Sequence, residues 1–311
     1  MGTKRVLPTF AATLAFVLLL SNPGSLIAGG AKPKLKGFSP FTFAIVSDPQ
    51  IGMVAAQRDR TNFSKVASAI NGLHAGIRPK FVLITGDLVE DSGDTEAAVM
   101  FDQVRKVFTM PVYPVPGNHD ITNDGKTFQK SLLERYHRSV GPDRFVVKKA
   151  GCLFIGLDSQ LWLGAPGVAE EQFEWLKQQL RDRSQYLYVF VFEHHPLFLA
   201  SADEKDQYYN TPLIWRLKLL RLFEESKVTG VLTGHLHRNE SGFYHGIAMI
   251  TTPSTCLNFD GSPFGYRLIS LTNDGFMEQY VSVPGTLPQG QAIDSPPNIA
   301  PVSKSLRTHL P

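Results

Sequence analysis

The residues of this chain whose types and spacing could do chemistry fall into five short clusters. They are Asp48 with Gln50, Asp87, Asn118 with His119 and Asp120, His194 with His195, and His235 with His237. Carboxylates, amides and imidazoles are the side chains that bind divalent cations through oxygen and nitrogen. Five of the nine histidines lie in these clusters. Such a set suits phosphate ester hydrolysis, which is very slow uncatalysed. Two metals about 3.5–4 Å apart can clamp the attacking and leaving oxygens of the reaction. A shared carboxylate fixes their separation, and neutral amide and imidazole groups complete the ligand sets without repelling the phosphate. The only cysteines, Cys152 and Cys256, have no metal-ligand spacing. Both read as core residues, and spacing does not decide whether they pair.

Each cluster directly follows an apolar run. The runs cover residues 41–47, 81–85, 111–115, 186–192 and 228–233, and each reads as a buried strand. After the third, Pro116-Gly117 turns the chain, with proline fixing φ and glycine tolerating a positive one. Amphipathic periodicity predicts helices over 62–73, 95–107, 128–138, 169–183 and 213–223. Further strands are expected over 145–148, 152–157, 248–251, 266–271 and 277–281, with Gly151 making a hairpin of the first two. Alternating strands and helices argue for βαβ units and parallel pairing. Strand ends of such sheets gather ligand sites, so dispersed clusters can converge.

Hydrophobic residues make up 43% of the chain and charged ones 19%, which describes a globular protein with ample core. The net charge of +3 is unevenly spread. Lys4, Arg5, Lys32, Lys34 and Lys36 precede Asp48 with no acid among them, leaving 26 basic residues against 28 acidic ones. The body therefore lacks the basic stripe of a nucleic-acid binder. Residues 1–5 are basic, 6–20 apolar apart from Pro8, and 21–31 small and turn-rich. This order is that of a signal peptide cleaved near Ala28 or Ala31, and predicts a periplasmic or secreted protein. The alternative is a retained membrane anchor, for which the 15-residue run is short against a span of about 20. No cysteine follows the run to take a lipid. Residues 32–40 read as a linker, 41–283 as one domain and 284–311 as a disordered tail. A monomer is expected.

Asp48-Pro49-Gln50, Gly86-Asp87, Gly117-Asn118-His119-Asp120, His194 and Gly234-His235-Leu236-His237 resemble, in order, the motifs of calcineurin-like metallophosphoesterases. Ser47-Asp48-Pro49-Gln50-Ile51-Gly52, His194-His195-Pro196-Leu197-Phe198-Leu199, Asp206-Gln207-Tyr208-Tyr209 and Gly234-His235-Leu236-His237-Arg238-Asn239 are similar to the subgroup of serine/threonine phosphatases that carry this domain. The resemblance implies a four-layer α/β/β/α sandwich and two divalent metals: Mn, Fe, Zn or Mg. One metal would take Asp48, Gln50, Asp87 and His237. The other would take Asp87, Asn118, His194 and His235. His119 would protonate the leaving oxygen, oriented by Asp120.

Gln50 departs from the family, most of which has histidine there. An amide oxygen makes the first site oxygen-rich and leans it toward Mn²⁺ or Mg²⁺ over Zn²⁺, with Mn²⁺ favoured. His195 reads as a structural neighbour, with direct ligation or substrate contact as the alternative. Arg238 and Asn239 are candidates for phosphate contact, against a solvated turn. Tyr208 and Tyr209 are placed at the cleft mouth or in a packed loop, and Ser254 and Thr255 in a simple turn. The expected activity is hydrolysis of phosphomonoesters by metal-activated hydroxide, on a phosphorylated small molecule or, as the subgroup implies, a phosphoprotein. Two alternatives stay open: a phosphodiesterase on nucleotides or lipid head groups, and a metal-dependent phospho-ligand binder without turnover. His119 and Asp120 together count against the binder.

Overall fold

The computed structural model describes residues 37–124, 127–164 and 167–285, together with the backbone of 25–28. The leader reading for the rest of 1–31, most of the linker and the tail from 286 onward fall outside the described residues. No helix among the described residues is long and apolar enough to cross a membrane.

Alternation along the strands builds two sheets. In β2 (Phe41–Val46), Phe43 and Ile45 face one way and Ala44 and Val46 the other, and all four are fully buried. A strand buried on both faces must lie between two layers. The first sheet runs β1 (Ser25–Ala28), β12 (Gly275–Ser282), β11 (Gly265–Leu271), β2, β3 (Val82–Ile84), β4 (Val112–Pro114). The second runs β5 (Phe145–Lys149), β6 (Cys152–Gly156), β7 (Tyr188–Phe192), β8 (Gly230–Thr233), β10 (Ile247–Thr251), β9 (Glu240–Tyr244). Strands β2–β3–β4 and β6–β7–β8–β10 are parallel. The remaining pairings are antiparallel, so both sheets are mixed where alternation alone predicted parallel ones.

The inner faces meet in an aromatic layer. Phe154 of the second sheet stands edge-on to Phe43 and to Phe81, at 5.0 and 4.9 Å between centroids. Such pairs add about 0.5–1.5 kcal/mol beyond burial. Cys152 lies in this layer, and no disulfide joins it to Cys256, which is also buried. Helices α1 (Ala56–Asn71), α2 (Thr95–Arg105) and α4 (Lys130–Ser139) cover the outer face of the first sheet. Helices α6 (Val168–Leu180) and α7 (Leu213–Glu225) cover the second. This is the expected four-layer sandwich. Two one-turn helices, α3 (Asn118–Ile121) and α5 (Gln160–Gly164), sit at strand ends.

Helix α1 starts six residues before the predicted 62, because its first turn is polar and shows no apolar period. The buried Asp59 carboxylate accepts the N–H groups of Gly52, Val54 and Ala55, so it ties the turn before the helix to the helix's first turn. Strand β9 has no apolar run and was not legible. The parallel strands β2, β3, β4, β7 and β8 all lead into the five clusters, which converge beyond their C-terminal ends.

Candidate metal centre

The ligand candidates sit on abrupt kinks. Asp48, Gln50, Asp87, His235 and His237 all have left-handed backbones, at φ of 47°, 35°, 47°, 67° and 49°. Aspartate and histidine are among the residues that tolerate this region best, and it is sparsely populated for all non-glycine residues. Glycines let these kinks approach one another. Gly117 was expected to take a positive φ, but its φ is −103°. Its need is space: a Cβ there would lie 2.1 Å from Asp87 Oδ1 and 2.3 Å from the Asp87 nitrogen. A Cβ on Gly234 would lie 2.0 Å from Ser47 Oγ. Gly117→Ala is therefore expected to push the β4 turn off Asp87, at a cost of about 3 kcal/mol, the upper range for overpacking. Urea denaturation of the metal-free protein checks it; an unchanged midpoint would show that the turn yields freely.

The convergence is direct. Asp87, His194 and His235 each bring one ligand atom within 4.8 Å of the others, as do Asp48, Asp87 and His237. All five residues are buried and Asp87 belongs to both groups. Among the described residues no other group of this kind occurs. Asn118 Oδ1 joins the first group, 3.0 Å from His194 Nε2. Gln50 joins the second with its nitrogen already used: Nε2 donates to Glu90 at 2.8 Å, which leaves Oε1 as the ligand atom.

Backbone carbonyls set every ligand imidazole. His194 Nδ1 lies 2.8 Å from the Thr85 oxygen, His235 Nε2 3.1 Å from the Tyr208 oxygen, and His237 Nδ1 2.7 Å from the Leu257 oxygen. A carbonyl only accepts, so each of these nitrogens carries a proton, and the other is the one that can offer a lone pair once a cation displaces its proton. Those other nitrogens face the centre: His194 Nε2 is 3.2 Å from Asp87, and His237 Nε2 is 3.4 Å from Asp48. This is how metal-binding histidines are oriented. The residues present thus fit a pair of divalent cations. Burial opposes charge here, yet Asp87 and Asp48 push the His194 imidazole up to about 9. Burial likewise opposes the Asp87 carboxylate, while His194 and His119 hold it well below its usual range. Burial and the neighbouring imidazoles lower His235 and His195. Cations entering such a site displace protons.

His119 stands at the rim, with about a quarter (24%) of its side chain exposed. Its backbone N–H donates to Asp87 at 3.0 Å, and its ring Nδ1 lies 2.8 Å from the Glu90 carbonyl oxygen and 3.5 Å from the Glu90 carboxylate. Burial opposes protonation of the ring, but Asp87 and Glu90 raise it. Asp120 does not orient this ring, contrary to the sequence expectation. Its carboxylate accepts the N–H groups of Leu88, Val89 and Gly117 at 3.0, 3.3 and 2.7 Å, so it locks the β3 turn to the β4 turn. Burial, then Asp87, pushes it up to about 7. Glu90, which sequence reasoning missed, holds both Gln50 and His119. The available signal was a carboxylate three residues after Asp87 in the same strand-end turn.

The other candidates separate. Asn239 accepts from the buried guanidinium of Arg267 through its side-chain oxygen and donates its backbone N–H to Asp260. Arg238 pairs with Glu240 at 2.8 Å on the entry to β9. His195 is 1% exposed, so it is walled off from substrate. Its Nδ1 takes the Ser159 hydroxyl at 3.0 Å and its ring packs 4.0 Å from that of His235. Ser254 is more than a turn residue: its hydroxyl donates to the Asp48 carbonyl at 2.7 Å. Tyr208 lies at the mouth, its hydroxyl 2.9 Å from Asn118 Nδ2.

Comparison with known proteins agrees with this geometry. Human serine/threonine-protein phosphatase CPPED1 is 30% identical over 284 residues, covering 83% of this chain and 89% of the human one. The 3′,5′-cyclic adenosine monophosphate phosphodiesterase CpdA of Haemophilus influenzae is 30% identical over 212 residues, 62% of this chain and 71% of that one. A dimetal phosphatase from Danio rerio shares the fold, with a TM-score of 0.56 at 15% identity over 79% of this chain and 100% of its own. The sequence profile of the calcineurin-like phosphoesterase family matches residues 41–239. That stretch opens on the strand before Asp48 and closes beyond His237, taking in every candidate ligand. The chain therefore belongs to the calcineurin-like phosphoesterases, dinuclear metal-dependent hydrolases of phosphoric esters.

Proposed function

We propose that this chain hydrolyses phosphomonoesters, on phosphorylated small molecules or phosphoproteins. The observation that carries the reading is a pair of buried ligand groups sharing Asp87, with the His119 ring at their open side. Asp48, Gln50, Asp87 and His237 would hold one cation, and Asp87, Asn118, His194 and His235 the other. When bound, the cations supply charge stabilisation to the phosphoryl group and an activated water. The chain's own residues do the rest. Nδ1 of His119 is committed to the Glu90 carbonyl, so its Nε2 is the atom left to give a proton to the leaving oxygen. The human relative, named as a phosphatase and matched across most of both chains, supports monoesters. The Haemophilus relative, named as a cyclic-nucleotide phosphodiesterase, supports a second reading as a diesterase.

The metal at the Gln50 half is proposed to be Mn²⁺, because Gln50 offers only its amide oxygen there. One experiment tests both points. Metal-stripped full-length protein is assayed with p-nitrophenyl phosphate and its bis ester after adding back Mn²⁺, Mg²⁺, Zn²⁺ or Fe²⁺. The expectation is turnover of the monoester, greatest with Mn²⁺, and at least about tenfold above the diester, a difference of about 1.4 kcal/mol in barrier. The reverse preference favours the diesterase. Two tightly held zincs with no gain on manganese overturn the metal assignment, and no turnover with any metal leaves the non-catalytic binder.

A further inference from the structure

Residues 200–212, between β7 and α7, belong to none of the strand-end clusters, yet they are firmly built. The guanidinium of Arg216, fully buried, donates to the carbonyls of Thr211, Ala202 and Glu204 at 3.0, 3.2 and 2.8 Å. The Glu204 carboxylate accepts the N–H groups of Leu199, Ala200 and Ser201 and the side-chain nitrogen of Asn210. Asn210 Oδ1 in turn accepts the Gln207 N–H at 3.0 Å. A loop braced in this way presents Tyr208 in a fixed pose. That pose reaches two ligand candidates of the same half of the centre. The hydroxyl accepts from Asn118 Nδ2 at 2.9 Å, and the backbone carbonyl accepts from His235 Nε2 at 3.1 Å.

Both contacts hold a ligand group in its metal-facing pose. An amide ligates through oxygen, and its oxygen and nitrogen exchange places when the group turns over. The tyrosine hydroxyl, as acceptor, anchors Asn118 Nδ2 on the outer side while Oδ1 faces inward, 3.0 Å from His194 Nε2. Holding His235 Nε2–H on the carbonyl leaves Nδ1 as the inward lone pair, 3.1 Å from the same His194 nitrogen. The other half is braced by different residues: Glu90 for Gln50, Leu257 for His237 and Ser254 for the Asp48 backbone. We infer that Tyr208 is a positioning residue for one metal alone, the one held by Asp87, Asn118, His194 and His235. This rests on the dinuclear reading above. It makes loop 200–212 a determinant of how tightly that metal is kept.

Tyr208→Phe isolates the hydroxyl, since the ring and the backbone carbonyl to His235 remain. Metal-stripped full-length protein is titrated with Mn²⁺ by calorimetry, and bound metal is counted after dialysis. The unsubstituted chain is expected to bind two equivalents. In Tyr208→Phe one equivalent weakens by about 10- to 100-fold, the range for lost partners of metal ligands, and the other shifts by less than about twofold. The same substitution is then made beside Asn118→Asp. A carboxylate has two equivalent oxygens and needs no orienting, so the effect of losing the hydroxyl should fall at least about fivefold there. Equal affinities in Tyr208→Phe and the unsubstituted chain overturn the inference. So does a parallel weakening of both equivalents, which marks general loosening, or an undiminished effect beside Asn118→Asp. Fewer than two equivalents in the unsubstituted chain overturn the dinuclear reading itself, and this inference with it.

Discussion

Asp87→Asn is expected to abolish metal-dependent hydrolysis while the sandwich stays folded. Asp87 is the residue common to both ligand groups, and both its oxygens are in use: Oδ1 takes the His119 N–H at 3.0 Å and Oδ2 lies 3.2 Å from His194 Nε2. An asparagine offers one oxygen and turns an N–H₂ toward the other neighbour, so it cannot serve two cations. Losing even one cation removes several kcal/mol of stabilisation from the transition state. At 1.36 kcal/mol per tenfold, that is about a thousandfold or more in rate. Fold survival follows from what the carboxylate does: it sits among imidazoles at the sheet edge, outside the aromatic layer that joins the sheets. Metal content, circular dichroism and turnover of p-nitrophenyl phosphate check the expectation together. Two bound metals and more than about a tenth of the activity would mean that Asp87 is not shared, because a shared ligand is worth several kcal/mol.

His119→Ala should separate substrates by their leaving groups. The ring belongs to neither ligand group, so both metals remain. An alkyl phosphate needs a proton on its departing oxygen, and its hydrolysis is expected to slow by about 10²- to 10⁴-fold, the usual worth of a positioned acid. Nitrophenolate departs without a proton, so p-nitrophenyl phosphate should lose less than about tenfold. Glu90 belongs in the same experiment as the residue that holds the ring, and Asp120 does not. Equal losses on both substrates, with metals retained, would give His119 a binding role in place of proton transfer.

Which parts of the site were legible depended on whether sequence neighbours remain spatial neighbours. The five strands announced themselves as apolar runs, and the ligand candidates followed each one directly, so their convergence could be read from order. The errors arose at distances of one or two residues. In α3, residues one apart on a helix face different ways, so Asp120 beside His119 in sequence points its carboxylate at Leu88 and Gly117 instead. Past His237 the chain runs into β9, whose polar sequence hides a strand, so the contacts of Arg238 with Glu240 and of Asn239 with Arg267 were not foreseen. Glu90 and Tyr208 act only through contacts that the folded chain creates, at separations of 40 and 90 residues. No local period encodes such contacts. The antiparallel strands β11 and β12, by contrast, were visible as strands while their direction was not.

The left-handed kinks under Asp48, Gln50, Asp87, His235 and His237 set the fold's robustness against its chemistry. A non-glycine residue held there costs on the order of 1 kcal/mol or more. Five of them therefore draw on a sum comparable with the lower end of a whole domain's net stability, about 5 kcal/mol. Glycine would relieve that cost at each position and end the activity at the same step. In a lineage released from the need to hydrolyse phosphate, these five positions are the first that drift would rewrite, and the descendants would be sturdier proteins than their parent. The aromatic layer between the sheets would persist unaltered, so a retired copy of this chain would be known by an intact sandwich with glycines where its ligands had been.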